Sequence, residues 1–244
     1  MRFKPNFWGT VAVILLCPLF IRLGFWQLDR GEEKHHLHSQ YVEQQAAAPL
    51  AINADNLNEI GANLTGRKAQ VSGRYLEGLH VLLDNQTHAK TPGYRVYTPF
   101  QIRNTSTTLW ISRGWLPLTQ DRAIPPDVSL KQFDLVDLQG VLSQPPTPGI
   151  RLGETPYEAL PNNVTRVQMF DLEKINREFK LSELPYVLRV NNAEDERFAA
   201  KWPTPGSGEQ KHYGYAFQWF SFATAVVVLY LIFGFKRQSQ PVEK

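Results

Sequence analysis

At 244 residues, with a formal net charge of +3 and 20% charged residues, the chain is too weakly basic to argue for a nucleic-acid partner. Its single cysteine excludes an intrachain disulfide and any Cys-based zinc or redox motif. Aromatics at 12%, with 16 glycines and 17 prolines, suit a turn-rich β domain.

The polar residues are framed by two apolar stretches, Phe7 to Trp26 and Tyr215 to Phe235. Each is close to the ~20 residues a helix needs to cross a hydrocarbon core. The expected division is a cytoplasmic N-terminus (1–6), a first transmembrane helix (7–28), a β-rich extramembrane domain (29–211), a second transmembrane helix (212–235) and a cytoplasmic C-terminus (236–244). Arg2 and Lys4 precede the first span, and Lys236, Arg237 and Lys244 follow the second. By the positive-inside rule both basic ends belong in the cytoplasm and the central domain outside. Six residues before the first span are too few for an amphipathic transit peptide, so the expected location is a bacterial inner membrane, with the domain periplasmic.

A cleaved signal peptide is the alternative for the first span. Its apolar run is too long, however, and Leu23-Gly24-Phe25-Trp26-Gln27-Leu28-Asp29 offers no small-x-small cleavage site. Cys17 follows Leu16 where a lipoprotein needs a small residue. Arg22 sits near the outer edge, where its head can reach the interface. Pro18 is expected to kink the helix.

Beyond the span, the polar run Gly31 to Gln45 lacks breakers and continues the helix. Ala46 to Gly66 reads as loop, with a short helix around Asp55 to Ile60. Strands are expected at Lys68–Tyr75, Leu79–Asp84, Tyr94–Ile102, Thr107–Trp115, Phe133–Leu142, Thr165–Phe170 and Tyr186–Asn192, from apolar–polar alternation between turn signals. Asn104-Thr105-Ser106 reads as a hairpin turn and Gln144 to Gly149 as a proline-rich loop. Asp171 caps a helix over Leu172–Phe179, with Ile175 and Phe179 on one face. The fold class is thus a membrane protein whose two terminal transmembrane helices flank one α+β domain, mainly antiparallel β, as a small barrel or sandwich. Four Asn-x-Ser/Thr triplets, at Asn63, Asn85, Asn104 and Asn163, match a glycosylation pattern that has no meaning outside a secretory pathway.

The most specific local feature is His212-Tyr213-Gly214-Tyr215-Ala216-Phe217-Gln218-Trp219, opening the second span. At ~100° per residue, His212, Tyr215 or Ala216, Trp219 and Ala223 share a face. An imidazole above small residues and an indole can hold a flat ligand with a metal centre, such as haem. The plainer reading is an aromatic belt at the interface. Trp26 and Gln27 lie at matching depth on the first helix, where Gly24 permits close approach. His35, His36 and His38 read as a solvated polar face, since no further ligand completes a metal site. Neither a Ser/His/Asp order nor a Gly-rich phosphate loop nor a carboxylate pair is present, so the chain does not read as an enzyme.

Taken together, five elements resemble the Surfeit locus protein 1 family of cytochrome c oxidase assembly factors. They are Leu23 to Arg30; Val71-Ser72-Gly73-Arg74-Tyr75; Gly93 to Phe100; Leu109-Trp110-Ile111-Ser112-Arg113-Gly114-Trp115-Leu116-Pro117; and His212 to Phe220. After the first span this chain carries Gly31-Glu32-Glu33-Lys34 where many relatives have a Lys/Arg-Trp-Lys turn. The resemblance implies a membrane-anchored factor that aids delivery of haem a to the catalytic subunit of a haem–copper oxidase, alongside other assembly factors. It implies His212 as the ligand to the haem iron, with Trp26, Gln27, Gln218 and Trp219 lining the site. Arg113 and Trp115 are expected to shape the domain. The alternative is a cofactor-free membrane scaffold that stabilises an oxidase assembly intermediate.

Overall fold

The structure, a computed structural model, describes residues 2–3, 6–57, 60–61, 63–130, 134–146, 157–190, 195–200, 202 and 204–236. They form two compact units, residues 1–39 with 203–244 and residues 40–202.

The first unit is a pair of long helices. A short strand β1 (Arg2–Phe3) precedes α1 (Phe7–Ala46), and α3 (Glu209–Gly234) is followed by β11 (Phe235–Lys236), which pairs antiparallel with β1. Both helices are long and apolar enough to cross a membrane. The polar run after Gly31 stays helical as its composition suggests, and Pro18 lies inside α1. Contacts run antiparallel: Thr10 Oγ1 meets the Tyr230 hydroxyl at 2.9 Å, Cys17 Sγ lies 3.7 Å from the Ala223 carbonyl oxygen, and Phe20 stacks on Trp219. Thr10, Cys17, Gly24 and Gly31 recur every seven residues on α1, as do Ala216, Ala223 and Tyr230 on α3. A seven-residue repeat keeps one narrow seam facing its partner along the whole length. Small side chains let the backbones approach: a Cβ on Gly24 would lie 2.7 Å from the Phe220 ring, and one on Gly31 2.5 Å from that of Tyr213.

The second unit is a barrel. Its strands are β2 (Leu50–Ile52), β3 (Lys68–Tyr75), β4 (His80–His88), β5 (Thr91–Ile102), β6 (Thr107–Pro117), β7 (Val136–Ser143), β8 (Glu158–Leu160), β9 (Val164–Val167) and β10 (Ser182–Val190), with α2 (Leu172–Phe179) before the last. Five of them close a circuit, β3–β5–β6–β10–β7 and back to β3, antiparallel at every step except β6 to β10. Five-stranded, partly Greek-key closure of this kind characterises OB-type barrels. It resolves the choice between barrel and sandwich. β3 makes it possible by pairing with β7 through Lys68–Gly73 and with β5 through Gly73–Tyr75. A Cβ on Gly73 would lie 2.1 Å from the Gln101 carbonyl oxygen, so only glycine fits this corner. β4, β9 and β8 extend the sheet from the first half of β5.

Phe100, Ile102, Leu109, Ile111, Leu142 and Leu188, all buried, form the central core. A second cluster of Val81, Tyr97, Trp110 and Phe170 lies under α2. There Asp171 Oδ1 accepts from the Lys174 amide at 3.1 Å, the N-cap expected from sequence. Ile175 is fully buried, and Asn176 Oδ1 accepts from the Trp110 indole at 3.0 Å, tying α2 to the sheet. Each asparagine of the Asn-x-Ser/Thr triplets has a left-handed φ: 74° at Asn63, 57° at Asn85, 61° at Asn104 and 57° at Asn163. Asn104 and Asn163 lie in turns and Asn85 at the irregularity in β4 between Leu83 and Gln86, positions for which asparagine is suited without any glycan. Residues 58–59, 133, 147–149 and 191–192, which fall within the expected short helix, two expected strands and the proline loop, lie outside the described residues.

Candidate functional site

The seam of the helix pair carries polar groups at its α3 N-terminal end. His35 Nδ1 lies 3.0 Å from Glu209 Oε2, as the outermost contact. Next come Gly31 against Tyr213, then Gln27 against His212, where Nδ1 lies 2.8 Å from Oε1. Gly24 against Phe220 follows, and then Phe20 stacked on Trp219 with ring centroids 5.6 Å apart and Phe222 at 5.8 Å.

His212 is therefore not loose in an aromatic belt. Gln27 Oε1 is an acceptor, so in this contact the imidazole donates from Nδ1. Nε2 is the ring nitrogen that the Gln27 contact leaves unused, and among the described residues no hydrogen bond reaches it. A neutral imidazole with Nδ1–H held by an amide oxygen is the arrangement that orients a metal-ligating histidine. One heptad deeper, Trp219, Phe20 and Phe222 supply flat apolar surface. Among the described residues no group of three or more His, Cys, Asp or Glu side chains could hold a bare metal ion.

Two further residues expected at this site point elsewhere. Trp26 is half-exposed and lines a shallow groove on α1 with Pro18, Ile21, Arg22, Phe25 and Asp29. Gln218 is exposed on α3, beside the 75%-exposed Phe217. One residue along a helix is a turn of ~100°, enough to move a side chain off the seam. Phe20 is the ring that stacks on Trp219, with the 41%-exposed Phe222 edge-on to that indole. The seven-residue spacing of Thr10, Cys17, Gly24 and Gly31 was the available signal, because it places Phe20 and Gln27 on the same seam.

In the barrel, Arg113 is 3% exposed. Its guanidinium donates to the Val128 and Ser129 carbonyls at 2.5 and 3.1 Å and lies 4.5 Å over the Phe198 ring. Gly114, at φ 134°, lets the strand exchange two backbone bonds between Trp115 and Ala199, at 2.9 and 3.0 Å. The Trp115 indole donates to the Gln86 carbonyl at 2.8 Å. Arg113-Gly114-Trp115 thus pins two loops against β6, an architectural task. His35 and His36 meet Glu209 and Glu32, as surface residues do.

A model of the SURF1 family matches residues 14–224. SURF1-like proteins of Rickettsia felis and Rickettsia conorii are 24% and 25% identical to this chain. The alignments cover 92% and 94% of it, and 96% and 91% of the relatives. A SURF1-like protein of Drosophila melanogaster is 24% identical, over 85% of this chain and 71% of its own length. The family match thus takes in the whole barrel and most of both long helices, and the chain belongs to the SURF1 family.

Proposed function

We propose that this protein is a membrane-anchored assembly factor for a haem–copper oxidase, holding haem a at His212 for transfer to the oxidase's catalytic subunit. In this reading both termini lie in the cytoplasm of a bacterium, the chain crosses the inner membrane twice, and the barrel works in the periplasm among other assembly factors. Support comes from the family, whose members are known as oxidase assembly factors, from the two spans and from their basic flanks. The observation that carries the ligand assignment is the 2.8 Å contact between His212 Nδ1 and Gln27 Oε1.

The residues present fit the group. His212 offers Nε2 in the tautomer needed for coordination. Phe20, Trp219 and Phe222 offer aromatic surface on the same seam. Haem a, when bound, supplies the redox iron and macrocycle that the oxidase uses; this chain does no chemistry on it. Gln27 holds the imidazole ring and its proton. A single protein ligand at a part-buried position suits release, because a carrier has to bind more weakly than the final site. No catalytic role is assigned.

The test is the absorption spectrum of full-length protein, purified in detergent from cells that make haem a, as wild type, His212→Ala and Gln27→Leu. The band is expected to vanish in His212→Ala. In Gln27→Leu haem affinity should fall about tenfold, the lower end for loss of an orienting partner. Full occupancy with an unchanged spectrum in His212→Ala overturns the ligand assignment. A colourless wild type favours the cofactor-free scaffold, a role to which the exposed apolar faces at Phe217, Ile232 and Phe233 are suited.

A further inference from the structure

Two arginines of the barrel are held together without a counter-charge. Arg95 on β5 and Arg189 on β10 both lie against Trp202, with guanidinium carbons 4.3 and 5.5 Å from the indole centroid. Neither is fully exposed. Among the described residues, no carboxylate lies within ion-pair distance of either and neither makes a side-chain hydrogen bond. Other arginines of the same unit are paired: Arg113 with Asp195 at 3.6 Å, Arg166 with Glu158 at 2.6 Å and Arg197 with Asp195 at 2.9 Å.

Register explains the juxtaposition. Arg189 pairs with Ser112 on β6, and Ser112 with Tyr97 on β5. Arg95 is two residues before Tyr97, across an irregularity between Val96 and Tyr97. Such irregularities re-aim a side chain and gather near functional sites. Burial pulls the pKa of both guanidiniums down. Tyr97 counters it at each, and at Arg189 the neighbouring Arg95 lowers it again. Among the described residues, the titratable groups facing the pair are the hydroxyl of Tyr97, which burial pushes up to about 12, and that of Tyr41. The Trp202 indole nitrogen is itself buried with no acceptor.

The charged groups here are both donors. Two guanidiniums, with ten N–H bonds between them, lie close together beside an indole N–H that has no acceptor, and the missing component is an anionic oxygen. A guanidinium is a planar fork of N–H donors, which accepts carboxylate or phosphate in bidentate fashion. Two half-buried like charges are costly unless something completes them.

We propose that Arg95, Arg189 and Trp202 form an oxyanion-binding site on the barrel, taking a phosphate or carboxylate group from a soluble molecule or from an anionic lipid headgroup. The site is distinct from His212 and stands whether or not the protein carries haem.

Thermal unfolding of the full-length protein in neutral detergent tests it, followed by near-UV circular dichroism in chloride and then in phosphate or succinate at equal ionic strength. Wild type is expected to gain ~3 °C at a tenfold excess over the dissociation constant. Arg95→Gln and Arg189→Gln should lose that gain, and in chloride alone should unfold at or above the wild-type temperature, because like-charge repulsion is relieved. Arg95→Lys, which keeps the charge without the planar fork, should retain a reduced gain. Nanodiscs of phosphatidylglycerol and of phosphatidylcholine separate the sources: a shift only in the former assigns a headgroup, and a shift with soluble anions assigns a small molecule. Broadening of the phosphorus NMR line of inorganic phosphate by wild type gives a reading that needs no variant. The proposal falls if wild type responds in no arm. It also falls if both glutamine variants lose stability in chloride and keep the anion response, since the arginines are then cement for Trp202 and nothing more.

Discussion

Gly31→Ala probes whether the helix seam holds the histidine in place. The added Cβ would lie 2.5 Å from Tyr213 Cε1, 2.9 Å from Cδ1 and 3.0 Å from Cζ, where ordinary contact begins at 3.4 Å. Tyr213 or its helix must give by about an ångström. His212 is the neighbour of Tyr213 in sequence, so the same displacement carries Nδ1 away from Gln27 Oε1, now 2.8 Å distant, and past hydrogen-bond reach. Three effects compete. Alanine improves helix propensity by ~1 kcal/mol over glycine. Overpacking costs ~1–3 kcal/mol, and the lost hydrogen bond ~1 kcal/mol. Packing wins, and the expected net loss is ~1–3 kcal/mol. Unfolding of the helix pair by sodium dodecyl sulfate titration in mixed micelles reads the loss, and haem titration reads its consequence at His212. Tyr213→Leu in the same chain should restore part of both, with a coupling of ~0.5–3 kcal/mol in the double-mutant cycle. A Gly31→Ala protein that gains the ~1 kcal/mol of helix propensity and keeps wild-type haem affinity refutes the tight seam.

Two further predictions concern the barrel. His80, buried with Nδ1 3.1 Å from Thr98 Oγ1, has its pKa held down at about 4 by burial and by Arg113. The unfolded chain takes up this proton below about pH 6.5 and the folded one does not. Stability from the neutral ring is therefore complete above pH 6.5 and declines as the pH falls toward 4, by ~2–3 kcal/mol. Urea unfolding of wild type and His80→Asn between pH 7 and 4.5 should show the difference shrinking on acidification; a difference independent of pH contradicts this. Gly114→Ala should cost at least ~2 kcal/mol, because φ is 134° and the new Cβ falls 2.7 Å from Phe198 Cβ. An unchanged unfolding temperature would remove Gly114 from the pinning of the 195–199 segment.

The barrel's long strands were legible because alternation and turn residues coincide, as at Thr107–Pro117 after the Asn104 turn. β2 and β8 were not, since three residues are too few for a period to show. Closure was also hidden. It depends on β3 changing partners at Gly73, a long-range event that leaves only a glycine in the sequence. For the candidate site, His212 and Gln27 could be matched by depth, but the choice of face for Trp26 and Gln218 needed the helix phase. Arg95 and Arg189 meet only through the pairing of three strands, so no local pattern could have joined them.

Barrel closure has a consequence for synthesis. β6 is complete by Pro117, yet its parallel partner β10 ends at Val190. Until β10 docks, β6 and β7 are open strand edges, able to pair with another chain. Non-local pairing of this kind comes late in folding. α3 begins at Glu209, less than twenty residues after the closing strand. A nascent chain released before β10 would leave an unsealed sheet, whereas a chain carried past it seals its sheet and begins its second long helix within one short stretch of elongation. Premature termination anywhere before Val190 therefore costs the closure of strands made much earlier, and such truncated products should be found in aggregates or degraded.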